Sequence, residues 1–371
     1  MEDYLFFLGR DIDLSKLELL SYFDANNIKY SIKEDTKEIM LISLNNLDFA
    51  QVIRELGGTV KIAKVIDQEN FDPLTAVKWF EKSVTYGVSF YTKRNLRLLG
   101  TIKKRFKEEG LKAYLKKPQR LSYFMPSEVI KHKFLENGFE LVVFNDHVGY
   151  TIAVFNPKEY INRDDKRPFF DEKMVVSIRL ANILINLSKV KKEQTLLDPF
   201  CGVGTILQEA LLRNINVIGA DLDGQVVKGC KKNMEWITKR NSPKAYWKVF
   251  NVDSRKISAF IGNVDVVVTE PYLGPYLRKT LNLRQAKIIR NKLHDLYSEL
   301  FLELARVVKS RIVFITPVFV TNKNQKVGVN FTRIFDEAGF EIAEDYGIRV
   351  PIVYKHESSR FDRKIWILKR K

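Results

Sequence analysis

Three aspartates, two glycines and the tetrapeptide Thr269-Glu270-Pro271-Tyr272 fall through the second half of this 371-residue chain at spacings that suit one ligand pocket. The stretch 195–221, TLLDPFCGVGTILQEALLRNINVIGAD, reads as a buried strand, a Gly-x-Gly turn, an apolar-faced helix and a second strand ending in a carboxylate. That is the pattern of a nucleotide-binding βαβ unit. Gly202 and Gly204 lack a Cβ, so the backbone can bend sharply and approach a ligand closely. Leu207 stands where the dinucleotide fingerprint has its third glycine, which argues against a pyrophosphate seat. Asp198, ahead of Pro199 and Phe200, puts a carboxylate where a cationic ligand would sit, and Asp221 lies within reach of a ribose diol. A cofactor with a diol, an ammonium group and no phosphate is S-adenosylmethionine. Asp198 would face its ammonium through water, Thr205 would start the helix, and Asp221 would accept both ribose hydroxyls. Asp253, in FNVDSRKI, either accepts from the adenine amino group or is only a helix N-cap, a position aspartate favours.

Thr269 to Tyr272 follow a fourth strand. A proline and an aromatic placed there beside a sulfonium donor suit a flat substrate: the Tyr272 ring can stack on a flipped base while strand-end oxygens accept its N–H groups. An exocyclic amine is a poor nucleophile while its lone pair is delocalised into the ring. Acceptors holding both N–H bonds shift it towards tetrahedral geometry. A structural turn after a core strand is the alternative reading of this tetrapeptide.

These residues need a sheet to align them. From Asp171 onward the chain alternates helix and strand: a helix over 174–188, strand TLLDPF, helix TILQEALLR, strand VIGAD, a helix over 224–239, strands AYWKVFN and VDVVVTEPY, a helix over 285–308, strand RIVFITPV and a closing antiparallel pair, 347–354 with 363–369. That alternation predicts an α/β fold with a Rossmann-like, doubly wound, mainly parallel sheet that binds ligands at the carboxyl ends of its strands. Residues 1–70 read as β-α-β-β-α-β, the order of an α+β ferredoxin-like module. The pattern restarts near Trp79 with strand SVTYGVSFY, a helix through TIKKRFKEEG, a strand-to-helix passage through RLSYFMPSEVIKHKFLENG and a hairpin through FELVVFNDHVGYTIAVFN. The segment NPKEYINRDDKRPFF is polar and proline-bounded, and residues 159–172 read as a linker.

The net charge of +17 is unevenly spread: −5 over residues 1–70, +7 over 71–150 and +15 over 151–371, with +9 concentrated in 91–120. A bias spread over two of three segments favours a polyanionic partner. Lys103, Lys104, Arg105 and Lys107 on the basic helix, with Lys116, Lys117 and Arg120 beyond it, are the candidate phosphate contacts. A second set, Arg278, Lys279, Arg284, Lys287, Arg290 and Lys292, either lines the path of a nucleic acid or is the wet face of a helix. Cys201 and Cys230 suggest neither a disulfide framework nor a zinc site, and the scattered His132, His147, His294 and His356 suggest no metal centre or general base. The acidic start and the lack of a membrane-length apolar run point to a cytoplasmic protein.

LLDPFCGVGT with GAD, VD and TEPY resembles the class I amino-methyltransferases, whose fourth motif is commonly [DNS]-[PI]-P-[YFW]. RPFFDEKMVVSIRLANILINLS resembles the arginine-proline lead-in of archaeal-type THUMP-domain tRNA guanine-N2 methyltransferases. YGVSFY, TIKKRFKEEG, LSYFMPSEVIKHKFLENGFELVV and GYTIAVFNPKEYINRDDKRP resemble a THUMP domain. The resemblance covers nearly the whole chain and is strongest over 160–272. It implies a ferredoxin-like domain over 1–70, a THUMP RNA-binding domain over 71–158, the linker, and a catalytic domain over 173–371 that methylates a guanine exocyclic amine in tRNA. The THUMP region would grip the 3′ acceptor end. Ribosomal RNA, an amine on another base, DNA, or a decayed RNA-binding module are the rival readings. One departure stands out: Thr269 and Glu270 occupy the positions of the motif's usual Asp or Asn and Pro, so Glu270 is expected to take over substrate recognition, accepting from N1–H and the exocyclic N–H of guanine. Because consecutive strand residues face opposite ways, that expectation needs a bend near Pro271.

Overall fold

The computed structural model describes residues 1–66, 72, 83–92, 96–171, 176–277, 279–354 and 361–371. The expected contributions of Arg278 and His356, and the start of the helix expected from 174, lie outside the described residues. By contacts the chain forms two compact units, residues 1–15 with 27–162, and residues 16–26 with 163–371.

The first unit is built on one eight-stranded sheet. In chain order it brings β1 (Glu2–Leu8), α1 (Ile12–Ala25, whose residues 16–25 count with the second unit), β2 (Tyr30–Asp35), β3 (Ile39–Leu44), α2 (Phe49–Glu55), β4 (Thr59–Ile66), β5 (Ser83–Phe90), α3 (Leu96–Glu108), β6 (Lys112–Lys116), α4 (Pro126–Lys131), α5 (Phe134–Asn137), β7 (Gly138–Phe144), β8 (His147–Val154) and α6 (Pro157–Lys166, whose residues 163–166 count with the second unit). The strand order is β2-β3-β1-β4-β8-β7-β5-β6, and β4 pairs with β8 antiparallel, so hydrogen bonding runs without a break past residue 70. Ile102 and Phe106 of α3 are buried against Tyr86 and Phe139, with Tyr86 and Phe106 ring centroids 5.3 Å apart. Phe106 is therefore a core residue, whereas Tyr114 is exposed.

Two details differ from the sequence reading. The strand expected in RLSYF lies earlier, at β6, and pairs parallel with β5 at the sheet edge. Residues 120–124 instead form a loop held at Phe124, whose carbonyl accepts from the buried Lys61 ammonium at 2.8 Å and whose N–H donates to Ser89 at 2.8 Å. The segment expected as a linker begins with a helix, α6, because Pro157 suits a first helical turn and 158–166 offer no glycine to stop it.

The second unit is a three-layer α/β fold. It continues with α7 (Ile178–Leu187), β9 (Thr195–Asp198), α8 (Thr205–Leu211), β10 (Asn216–Asp221), α9 (Gly224–Asn241), β11 (Trp247–Asn251), a short 3-10 helix (Ser254–Ala259), β12 (Val264–Thr269), α10 (Leu283–Val307), β13 (Val308–Val320), β14 (Lys326–Gly328), α11 (Thr332–Glu337), β15 (Phe340–Ile342), β16 (Ile352–Tyr354) and β17 (Phe361–Arg370). The order β11-β10-β9-β12-β13-β17-β15 is parallel through β13 and antiparallel at β17. The inner strands are near-continuous apolar runs, as strands covered on both faces must be: Leu196, Leu197 and Val266 to Val268 are buried. Beyond β13 an aromatic cluster of Phe301, Phe314, Phe331, Phe335 and Trp366 packs between α10, α11 and the sheet. Each such side chain contributes about 1.5–3 kcal/mol by burial.

Candidate active site

After β9 the chain winds one way to β10 and β11, then returns to lay β12 on the other flank of β9. That reversal opens a crevice at the carboxyl ends of β9 and β12, where doubly wound sheets bind ligands. Asp198 ends β9 and Thr269 ends β12, and the Thr269 hydroxyl donates to Asp198 Oδ1 at 2.7 Å across the crevice floor. The Phe200 N–H donates to the same oxygen at 3.1 Å. Both side chains are buried. Burial pushes the Asp198 carboxyl up to about 7; the neighbouring Asp221 and Glu270 charges add to the rise, while the Thr269 and Phe200 donors oppose it.

The glycine turn closes over this floor. Gly202 and Gly204 both have positive φ, 52° and 85°, a region open mainly to glycine. The Cys201 N–H donates to Ala220 O at 2.8 Å, tying the turn to β10. Asp221 ends β10; its Oδ2 accepts from Gly202 N at 3.1 Å and its Oδ1 from Asp223 N at 3.0 Å. Thr205 opens α8, and its hydroxyl accepts from Arg167 Nη1 at 3.1 Å. Asn233, on α9, donates to Val203 O at 2.9 Å and holds the turn from behind. Cys201 and Cys230 are both buried and reduced.

Asp253 follows β11. It is the N-cap of the 3-10 helix, accepting from Arg255 N at 3.0 Å, and its carboxylate is paired with the Arg255 guanidinium at 2.6 Å. That pairing holds its carboxyl below the ordinary range.

β12 ends at Thr269, so Glu270 lies just beyond the strand. Glu270 lies against Arg363 of β17, whose Nε donates to Oε1 at 2.7 Å; the two side chains are 14% and 20% exposed. Pro271 is buried and Tyr272 is 53% exposed. The Tyr272 carbonyl accepts from the buried Tyr297 hydroxyl at 2.9 Å, and burial holds that phenol well above its usual range. Gly274 turns the loop with φ 109°; a Cβ there would meet Ile289 and Phe319 at 3.2–3.3 Å.

Arg363, Tyr297 and Arg167 were not singled out as site residues from the sequence. Arg363 reaches the crevice because β17 runs antiparallel, so its first residues lie beside the last residues of β13: Arg363 pairs with Pro317, while Thr269 pairs with Phe314. The candidate cations divide. Lys103, Lys104, Lys107, Lys116, Lys117 and Arg120 are exposed, but Arg105 is engaged by Asp72 at 2.9 Å and by Glu109. On α10 Arg284, Lys287 and Lys292 are exposed on the side opposite the buried Ala286, Leu293 and Tyr297; Lys279 is exposed and Arg290 half-buried.

A cation with a diol fits this donor set. Asp198 is a buried carboxylate with no cation paired to it among the described residues, and Asp221 presents two oxygens at the end of the adjacent strand. Sheet order, glycine turn and strand-end carboxylates together define a class I S-adenosylmethionine-dependent methyltransferase. Residues 165–325 match the UPF0020 family model, described as RMKL-like, methyltransferase domain. The chain is 29% identical over 293 residues to a tRNA (guanine(10)-N2)-dimethyltransferase of Methanothermobacter thermautotrophicus, covering 78% of this chain and 82% of that relative. A protein of the same name from Pyrococcus abyssi is 32% identical over 156 residues, 41% of this chain and 44% of its own. Among solved structures, TrmN from Thermus thermophilus aligns over 100% of both chains with a TM-score of 0.51 at 14% identity, a likeness of fold.

Proposed function

We infer that this protein transfers a methyl group from S-adenosylmethionine to the exocyclic N2 amine of a guanine in tRNA. The observation that carries the reading is the similarity to a tRNA (guanine(10)-N2)-dimethyltransferase over most of both chains, spanning both compact units. We read residues 1–70 as the ferredoxin-like domain, 71–158 as the THUMP domain, 159–172 as the linker and 173–371 as the catalytic domain. The β2-β3-β1-β4 order supports the first, and the exposed cations of α3 and β6 support RNA contact by the second. Among the described residues no helix is long and apolar enough to cross a membrane, and no acidic, His and Cys cluster could hold a metal ion. A cytoplasmic location fits an enzyme of tRNA.

In this reading Asp198 faces the cofactor's ammonium, Asp221 holds the ribose hydroxyls, Gly202 and Gly204 admit the cofactor, and Thr205 caps its seat. Asp253 reaches the adenine amino group only by sharing its carboxylate with Arg255. The bound cofactor supplies an electrophilic methyl. Thr269 does the rest at the amine: its hydrogen is committed to Asp198, so it has lone pairs left to offer an N–H. Hydrogen bonding to a buried carboxylate strengthens a hydroxyl as an acceptor. It thereby serves where the family motif has Asp or Asn. Pro271 sets the turn, and Tyr272, exposed and pinned through its carbonyl, is the stacking platform. Tritiated methyl transfer into total RNA followed by nucleoside analysis tests the reading: label should appear in N2-methylated guanosine from the tRNA fraction. Label in another nucleoside or in ribosomal RNA moves the substrate, and RNA binding without label leaves a binding module only.

A further inference from the structure

We propose that Glu270 and Arg363 form a guanine reader in which Arg363 donates to O6 and Glu270 accepts from N1–H, leaving the N2 amine to Thr269. The inference rests on the tRNA guanine reading above. Its basis is the contact between the two side chains. An arginine and a carboxylate that meet as a fork commit two of the five N–H donors and both carboxylate oxygens to each other. Here one bond forms, Nε to Oε1, and among the described residues neither side chain has another hydrogen-bond partner. Arg363 therefore keeps donors and Glu270 keeps an acceptor, side by side at the mouth of the crevice. Arg363 is further held over the Phe361 ring, its Cζ 5.2 Å from the centroid.

The order of these groups matches one base. Along the Watson–Crick edge guanine presents an acceptor at O6, a donor at N1 and donors at N2. The protein presents the donor Arg363, the acceptor Glu270 and, one residue away in the chain, the acceptor Thr269. Adenine presents an amine at position 6 and an acceptor at N1, which would face Arg363 and Glu270 with like groups. A site built around hydrogen bonds rejects an analogue that leaves buried groups unpaired far more strongly than it rejects a change of size. The departure from the usual motif gains a reason: Glu270 would be a stray charge without Arg363, and with it becomes half of a recognition pair.

The test compares tRNA carrying guanine with the same tRNA carrying 2,6-diaminopurine at the methylated position. Diaminopurine keeps the 2-amine, replaces O6 with an amine and removes the N1 hydrogen. The wild-type protein should favour guanine at least about tenfold in kcat/KM. Arg363→Met should lower kcat/KM on guanine by about tenfold or more and bring the ratio of the two substrates close to one, with S-adenosylmethionine affinity by calorimetry within about twofold of wild type. Arg363→Lys, which keeps a donor without the planar fork, should retain part of the ratio, and it serves as the reading if the methionine variant does not bind the cofactor. An unchanged ratio in the variants, or an equal loss on both substrates, overturns the proposal and leaves the tRNA guanine reading standing. A wild-type protein that methylates no guanine in tRNA overturns both.

Discussion

At the scale of single residues, Asp198 carries the clearest consequence. Its carboxyl titrates near 7 in the folded chain against 3.8 ordinarily, with burial the main cause. Between those values the folded chain holds a proton that the unfolded chain has released. Stability of the cofactor-free protein should therefore fall as pH rises from about 4 to 7, by up to about 1.4 kcal/mol per pH unit, and level off above 7. Asp198→Asn should remove that slope and be the more stable protein at pH 8 by roughly 2–4 kcal/mol, while binding S-adenosylmethionine less well. Urea midpoints of both proteins at pH 5 and pH 8 check this; parallel profiles would mean the carboxylate is not penalised by burial. Thr269→Ala removes the acceptor without removing a charge, so turnover with bound RNA and saturating cofactor should drop by about tenfold to a hundredfold, on the usual 1–3 kcal/mol for one buried bond. Single-turnover rates decide it, and a full rate would move the amine contact elsewhere. The sequence named Asp198 and Thr269 separately. Their bond joins residues 71 apart, and the Glu270–Arg363 pair joins residues 93 apart. Periodicity in one strand says nothing about which strand-end side chain a distant segment delivers.

At the scale of elements, the glycine turn and its flanking strands were legible because each local signal agreed: apolar runs of strand length, glycines at the two positive-φ positions, a carboxylate at each strand end. β6 was not, because Lys112, Tyr114 and Lys116 are exposed and the strand shows only a weak inward face at the sheet edge. The loop after it is fixed by burial far away in sequence. Lys61 donates to Glu140 at 2.6 Å as well as to Phe124 O, and Ser89 and Thr151 complete the carboxylate's partners, all out of water. Lys61→Met should destabilise the first unit by about 3–5 kcal/mol, because it leaves Glu140 charged and uncompensated. Chemical denaturation measures that, and a second change, Glu140→Leu, should recover much of the loss. On the catalytic side, Tyr297→Phe frees the Tyr272 carbonyl; it should cost about 1 kcal/mol of stability and slow methyl transfer, with substrate-free cofactor binding intact. Equal transfer rates would show that the loop does not need this anchor.

At the scale of the whole molecule, charge separates the two tasks. The catalytic crevice is acidic: the Asp221 and Glu270 charges add to the cost of ionising buried Asp198 where a cation is to bind. Exposed Lys103, Lys104, Lys107, Lys116, Lys117 and Arg120 give α3 and the β6 region a strong positive charge, in a chain of net +17. Cations that contact phosphates release counterions, so each one contributes about 0.7–0.9 to the slope of log affinity against log salt. Arg105 should contribute little, since Asp72 and Glu109 already neutralise it. Replacing Lys103, Lys107, Lys116 and Lys117 by glutamine should thus flatten the salt dependence of tRNA binding by up to about three. Arg105→Gln should change the slope by less than half a unit, and neither protein should lose affinity for S-adenosylmethionine. Fluorescence anisotropy over a salt series reads both. A quadruple variant with the wild-type slope would mean that the phosphate contacts lie on other cations, the exposed face of α10 first among them. A slope that falls with Arg105 alone would mean that tRNA breaks the Asp72 pair on binding.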